Sequence, residues 1–234
     1  MEKKKEKMYL PSIDDLFTTQ KTRDEADLEK VANIKLNDID DFPEHPFKVI
    51  VNDELKDMAE SIKEKGVLSP ALVRQKDDGR YEMISGHRRK KVSELANKDT
   101  IPCIVRDLTD DEATIIMVDS NMQREKVLPS EKAFAYRMKM EAMKHQGKTS
   151  CHYDTKLRSD EKLSEKSNDS ARQIQRYIRL TCLIPELLEI VDNSRKLKDK
   201  PNLTMGLLPA LELSFLSKQE QQIVYSVITI IQLI

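Results

Sequence analysis

Tryptophan is absent from this 234-residue chain, and only five phenylalanines and six tyrosines stand in for it. With 38% hydrophobic and 35% charged residues, slender helical elements are expected rather than one thick core. Cysteine is scarce too. Cys103, Cys151 and Cys182 lie far apart, in neither a C-x-x-C pair nor a zinc spacing. A disulfide framework is thereby excluded, and a reducing cytoplasm is expected. Long apolar runs are missing: Met1-Glu-Lys-Lys-Lys has no apolar stretch behind it, so no secretory signal is expected. The uncharged tail Ile223–Ile234 falls far short of the ~20 residues a bilayer span needs, so no membrane partner is expected. Nor does one sign of charge dominate, because 40 Lys plus Arg face 41 Asp plus Glu. That balance excludes a globally basic nucleic-acid binder and leaves a locally basic one open.

What is present divides the chain. Its length suits one or two domains that fold without metal or disulfide staples. Residues 1–31 read as a mobile arm with a short amphipathic patch at Ile13–Phe17. Ile34–Ile39 alternates apolar and polar as a half-buried strand does, until Pro43, Pro46 and an acidic run break it. Leu55, Met58, Ala59 and Ile62 form one helical stripe, with Asn52 or Asp53 to cap it and Gly66 to end it in the left-handed conformation. Strands follow at Ala71–Arg74 and Tyr81–Ile84 around the turn Asp77-Asp-Gly-Arg80. A helix at Arg88–Asn97, a strand at Ile101–Val105 and a helix at Asp110–Asp119 complete the series, the last begun by a Thr109/Glu112 capping box. From Pro129 the strands stop. A long helix runs to about Gln146, Gly147–Thr155 is a loop, and short helices make up the rest. The expected fold is α+β: a small mixed α/β domain over 32–127, an all-α domain over 128–200, and a short helical segment over 201–234.

Three segments offer chemistry. Ser85-Gly86-His87-Arg88-Arg89-Lys90-Lys91 sits where a strand ends and a helix begins. Cations are disfavoured at a helix N-terminus unless an anion neutralises them, so this pattern points to anion binding. Asp119-Ser120-Asn121-Met122-Gln123-Arg124, at a helix end, combines carboxylate, amide and guanidinium; it suits phosphate or hydrated magnesium, or simply a polar helix end. In Leu163–Leu180, a short helix and an Asn168-Asp169 turn precede a second helix that Ser170 can cap. There Ala171, Ile174 and Ile178 share one face, while Arg172, Arg176 and Arg179 share another beside Gln173 and Gln175. One face packs and the other presents cations and amides, as a major-groove recognition helix requires. Charge is segregated accordingly: residues 36–60 carry eight acids and two bases, residues 168–180 three arginines and one aspartate.

In this order the segments resemble the ParB/RepB/Spo0J partition family, over about residues 34–192. Gly66-Val67-Leu68-Ser69-Pro70 is similar to its G-V-x-x-P box, Gly86-His87-Arg88-Arg89 to its G-E-R-R box, and Asn121-Met122-Gln123-Arg124 to its E-N-x-Q-R box. The detailed form resembles the branch on mobile elements and plasmids of low-GC Gram-positive bacteria. The resemblance implies a sulfiredoxin-like N-terminal fold and a helix-turn-helix DNA-binding domain. It implies CTP and Mg2+ as cofactors, held by the second box with Ser85, by Gly66, Val67, Ser69 and Pro70, and by Asn121, Gln123 and Arg124, with Asn121 near the metal. It further implies a homodimer that closes as a sliding clamp on a palindromic parS-like site in double-stranded DNA, a nucleoid- or plasmid-associated location, and a ParA-type ATPase as partner.

Two departures bear on that picture. His87 replaces the family's Glu in the second box, and Ser120 replaces the acid linked to magnesium and hydrolysis in the third. Asp119 is adjacent, but neighbouring helical residues differ by about 100° in direction. CTP hydrolysis is therefore left open and no catalytic residue is assigned. Members of the family usually carry a third, dimerising domain, whereas residues 201–234 are expected to offer one or two helices at most, either buried against the helical domain, used as an interface, or left from a shortened reading frame. The competing readings are a helix-turn-helix repressor without nucleotide chemistry and a nuclease-like or sulfiredoxin-like enzyme.

Overall fold

A computed structural model describes residues 30–49, 52–124, 127–147, 163–164, 167, 169–196 and 204–232. The amphipathic patch at Ile13–Phe17 and the loop at 148–155 lie outside the described residues. Five strands make one mixed sheet: β1 (Val31–Lys35), β2 (Ile39–Asp40), β3 (Ala71–Gln75), β4 (Tyr81–Ser85) and β5 (Thr100–Val105), in the order β1-β5-β3-β4-β2. The β1–β5 and β3–β4 pairs are antiparallel, and β3–β5 and β2–β4 are parallel. The alternating segment Ile34–Ile39 is thus two strands, at opposite edges of the sheet, joined by a 3-10 turn at Leu36–Asp38.

Of the helices α1 (Asp53–Lys65), α2 (His87–Leu95) and α3 (Asp110–Met122), the last two pack on this sheet and α1 packs on α2. Asn52 caps α1 by accepting from the Leu55 amide, as its position predicts. Gly66 ends it with φ +72°, but its ψ of −173° is extended rather than left-handed helical. Leu55, Ala59 and Ile62 pack against Val92 and Ala96 of α2. One cluster gathers Ile34, Ile39, Val73, Met83, Ile101 and Cys103; another joins Ile84 to Phe47, Met117 and Val118.

Beyond them come α4 (Pro129–Gly147), α5 (Ala171–Leu180), α6 (Pro185–Lys196), α7 (Leu207–Leu213) and α8 (Lys218–Gln232). Helix α4 joins the two layers. Ala135 packs on the sheet-side cluster, whereas Ala133 and Tyr136 join Leu163, Ile174, Leu180 and Leu187 in the helical one. Two acids fix its start: Glu131 accepts from the amides of Leu128 and Lys48, and Asp192 of α6 from the amide and hydroxyl of Ser130. The C-terminal segment packs on the same helical cluster through Ala210, Leu213, Tyr225 and Ile228. Among the described residues, no helix is long and apolar enough to cross a membrane.

Candidate functional site

Three turns, distant in sequence, meet at the carboxyl end of β4. Gly86 carries the chain from β4 into α2 with φ +120°, where an added Cβ would lie 2.8 Å from Cβ of Ala71 on β3. Only glycine passes this point without strain. No side chain caps α2 at Gly86, so the first-turn N–H groups, which have no partners within the helix, are left for an anion.

The paired arginines divide the work. Arg89 turns inward and donates from Nη1 to the carbonyl of Ser69, at 2.7 Å, and to that of Pro70. It thereby ties the 66–70 turn to α2; its donors face backbone rather than a ligand. Arg88 is half-exposed and its guanidinium lies 3.8 Å from the carboxylate of the exposed Glu54. Arg124, just past α3, is half-buried and lies 5.8 Å from the Phe47 ring. Burial, and then the charge of Arg88, lowers its pKa. Two guanidiniums that repel one another beside an uncapped helix start call for an anion to offset both. Arg89→Ala is expected to loosen the 66–70 turn and cost about 1–3 kcal/mol, because two carbonyls lose their donor. A thermal melt checks it, with Arg88→Ala unshifted as the control.

His87 points into the protein. It is 7% exposed, and its ring lies 3.9 Å from that of His45, which in turn meets Phe47 edge-on. A ladder Arg124–Phe47–His45–His87 therefore links the third turn to the second. Both His87 ring nitrogens and Nε2 of His45 are buried without a hydrogen-bond partner. Burial, reinforced by the charge His45 would carry, pushes His87 down to about 3. A neutral imidazole brings no charge to a phosphate, so His87 serves here as packing. Beneath it Lys90, 8% exposed, donates to the Ile39 carbonyl and to Asp41. His45, Phe47 and Asp41 escape sequence reading because they sit in a proline-broken loop where periodicity is silent.

At the end of α3 the polar side chains are committed locally. Asp119 pairs with Lys139 of α4, the Ser120 hydroxyl donates to the Met117 carbonyl, and the buried Asn121 amide donates there too. Gln123 is exposed. Among the described residues no group of three acids, histidines or cysteines could hold a metal ion. The one carboxylate of this segment, Asp119, is thus already paired with Lys139, and Arg124 is its one cation. Cys103 is fully buried on β5 and its thiol is pushed up to about 11 by burial, which leaves it unreactive.

The second surface is α5. Ser170 caps it, accepting from the Gln173 amide. Its packed face is Ile174, Tyr177 and Leu180; Ala171 and Ile178 are only half-buried. Asp169, in the preceding turn, accepts from Lys132 Nζ and the Tyr136 hydroxyl of α4, each at 2.7 Å, which fixes the angle of α5. Leu163 is buried in the same cluster, while the extent of its helix lies outside the described residues. Arg172 and Gln175 are exposed, and Gln173 and Arg176 half-exposed. Arg179 is engaged: it donates to the hydroxyl and carbonyl of Ser214 and stacks on Phe215.

Comparison with known proteins gives a consistent answer. Residues 20–122 match the ParB N-terminal domain. The chain is 33% identical over 162 residues to the chromosome-partitioning protein Spo0J of Thermus thermophilus, covering 69% of this chain and 55% of that protein. It is 30% identical over 178 residues to the stage 0 sporulation protein J of Bacillus subtilis, covering 76% and 56%. The chain thus spans about half the length of these curated relatives. Among solved structures, C-terminally truncated ParB from Caulobacter crescentus, complexed to the centromeric parS site, aligns with a TM-score of 0.48 and 21% identity over 83% of this chain and 98% of that one. The same truncated protein complexed with CTP-γ-S gives 0.38 and 24%, over 86% and 99%.

Proposed function

This chain belongs to the ParB family, and from that premise we propose that it is a nucleotide-binding, site-specific DNA-binding protein of partition. The observation that carries the nucleotide half is the meeting of an uncapped α2 start at Gly86 with the guanidiniums of Arg88 and Arg124. A triphosphate is the ligand whose charge matches them. CTP is the one the family resemblance implies, and bound CTP would supply the negative charge those groups lack. Gly86 lets the backbone approach the phosphates, Arg88 and Arg124 neutralise them, and Arg89 holds the 66–70 turn as a wall. Binding, not hydrolysis, is what these residues support, since Asp119 is held by Lys139 and Ser120 by its own helix. Mg2+ would then be held chiefly by the phosphates, with Asn121 at most a neighbour.

For DNA, α5 would enter the major groove with Gln173, Gln175 and Arg176 toward base edges and Arg172 toward phosphate. A palindromic site would be read by a homodimer, with a ParA-type ATPase as partner, for a plasmid or other mobile element. Calorimetry of the full chain with CTP and magnesium tests the first half: Arg88→Ala is expected to weaken binding, and absence of heat overturns it. Arg176→Ala is expected to leave CTP binding intact and to cost about 1–3 kcal/mol of site affinity. An unchanged DNA affinity in that variant would count against the α5 assignment.

A further inference from the structure

The arginine face of α5 continues onto another element. Arg179 donates from Nε to the Ser214 hydroxyl at 3.1 Å and from Nη2 to the Ser214 carbonyl at 3.0 Å. Its guanidinium carbon lies 4.3 Å from the centre of the Phe215 ring. Ser214 is itself buried, its hydroxyl donating to the Leu211 carbonyl at 2.6 Å. A cation on the face that would read DNA is therefore spent on fixing a single aromatic ring. That ring is 65% exposed. A lone exposed apolar side chain needs no explanation; one immobilised on a charged face does.

We infer that Phe215 is a DNA-contacting residue, held on Arg179 so that it extends the α5 face with an apolar contact to a thymine methyl or a deoxyribose. The inference rests on the DNA-binding reading above. Arg172 to Arg179 spans about 10 Å along the helix, comparable to the roughly 12 Å width of the major groove, so the duplex wall beyond Arg179 meets Phe215. Charge favours DNA over a protein as the occupant. Arg137 and Lys144 line the adjoining groove of about 450 Å³ between α4 and α5, and Glu141 there is paired with Arg137 at 3.1 Å.

The test uses the full chain and a short duplex enriched by it from a random-sequence pool, with affinity measured across a salt series. Phe215→Ala is expected to bind about tenfold more weakly, Phe215→Leu to fall between it and the parent, and neither to shift the thermal melt. The dependence of log affinity on log salt is expected to keep its slope, because an apolar contact releases no counterion. A slope that falls with the affinity would mean that Phe215 only positions Arg179, and overturns the contact. Parent-like binding by Phe215→Ala while Arg176→Ala loses affinity overturns this inference and leaves the DNA-binding reading standing. No enriched duplex, or no loss in either variant, overturns both.

Discussion

Gly86→Ala is expected to destabilise the protein by about 2–6 kcal/mol, a large part of the 5–15 kcal/mol that holds a typical domain together. Two costs add. At φ +120° and ψ 14° an L-residue is held in a region it rarely adopts, worth about 1–3 kcal/mol. The new methyl would also lie 2.8 Å from Cβ and 3.3 Å from Cα of Ala71, which is fully buried in the middle of the sheet and cannot retreat. Overpacking of this kind costs about 1–3 kcal/mol. The double variant Ala71→Gly/Gly86→Ala separates the two: it relieves the Cβ contact and leaves the backbone strain, so it should recover only part of the loss. Urea unfolding measures all three proteins. A Gly86→Ala variant within about 0.5 kcal/mol of the parent would show that the turn is not fixed as described.

The same turn marks how far the sequence can be read. Its glycine-then-cation order marks a strand–turn–helix junction because the cue is local, as are those of the Asn52 cap and the Thr109/Glu112 capping box, which forms reciprocally. The mixed α/β domain followed by helices was legible for the same reason. Over Ile34–Ile39 the cue is incomplete: Ile34 and Leu36 alternate as one strand requires, but Ile39 lies three residues beyond Leu36 and would face the other side of a continuous strand. The 3-10 turn brings both inward, and the chain has crossed from one sheet edge to the other. Arg89 looked like Arg88, and only the carbonyls of Ser69 and Pro70, twenty and nineteen residues away, distinguish them. Arg179 likewise shares its helical face with Arg176 but meets Ser214, thirty-five residues on. Tyr177 packs inward although its hydroxyl gave no hint of burial, because its ring fills the space beside Tyr136. What sequence periodicity could not supply was in each case a contact between segments.

Between pH 6.5 and 4.5 the folded protein is expected to lose about 3 kcal/mol through the His45–His87 stack. His87 stays uncharged in the folded state down to about pH 3, since burial disfavours the imidazolium and Arg124, Lys90 and a protonated His45 would repel it more than Asp41 attracts it. In the unfolded chain the same ring takes up its proton near 6.5. Above 6.5 neither state is protonated and the ring contributes nothing to the pH dependence. Below 6.5 the unfolded state binds more protons, so stability falls with pH by about 1.4 kcal/mol per unit, or roughly 3 by pH 4.5. His45, also lowered by burial, acts in the same direction. Asp40 and Asp41 are lowered as well, chiefly through Arg80 for Asp40, while for Asp41 burial raises the carboxyl and Lys90, with His87 and His45, together bring it down. Their contribution is present above the ordinary carboxylate range near 4 and disappears as pH falls through their lowered values, so it does not enter this window. His87→Phe isolates the effect: it keeps a ring against His45, removes two buried nitrogens that lack partners, and abolishes the titration. That variant should match or exceed the parent at pH 7 and show a shallower decline toward pH 4.5 in urea unfolding. Equal slopes for the two proteins would mean that the stacked imidazoles are protonated as readily in the fold as outside it, which their burial forbids.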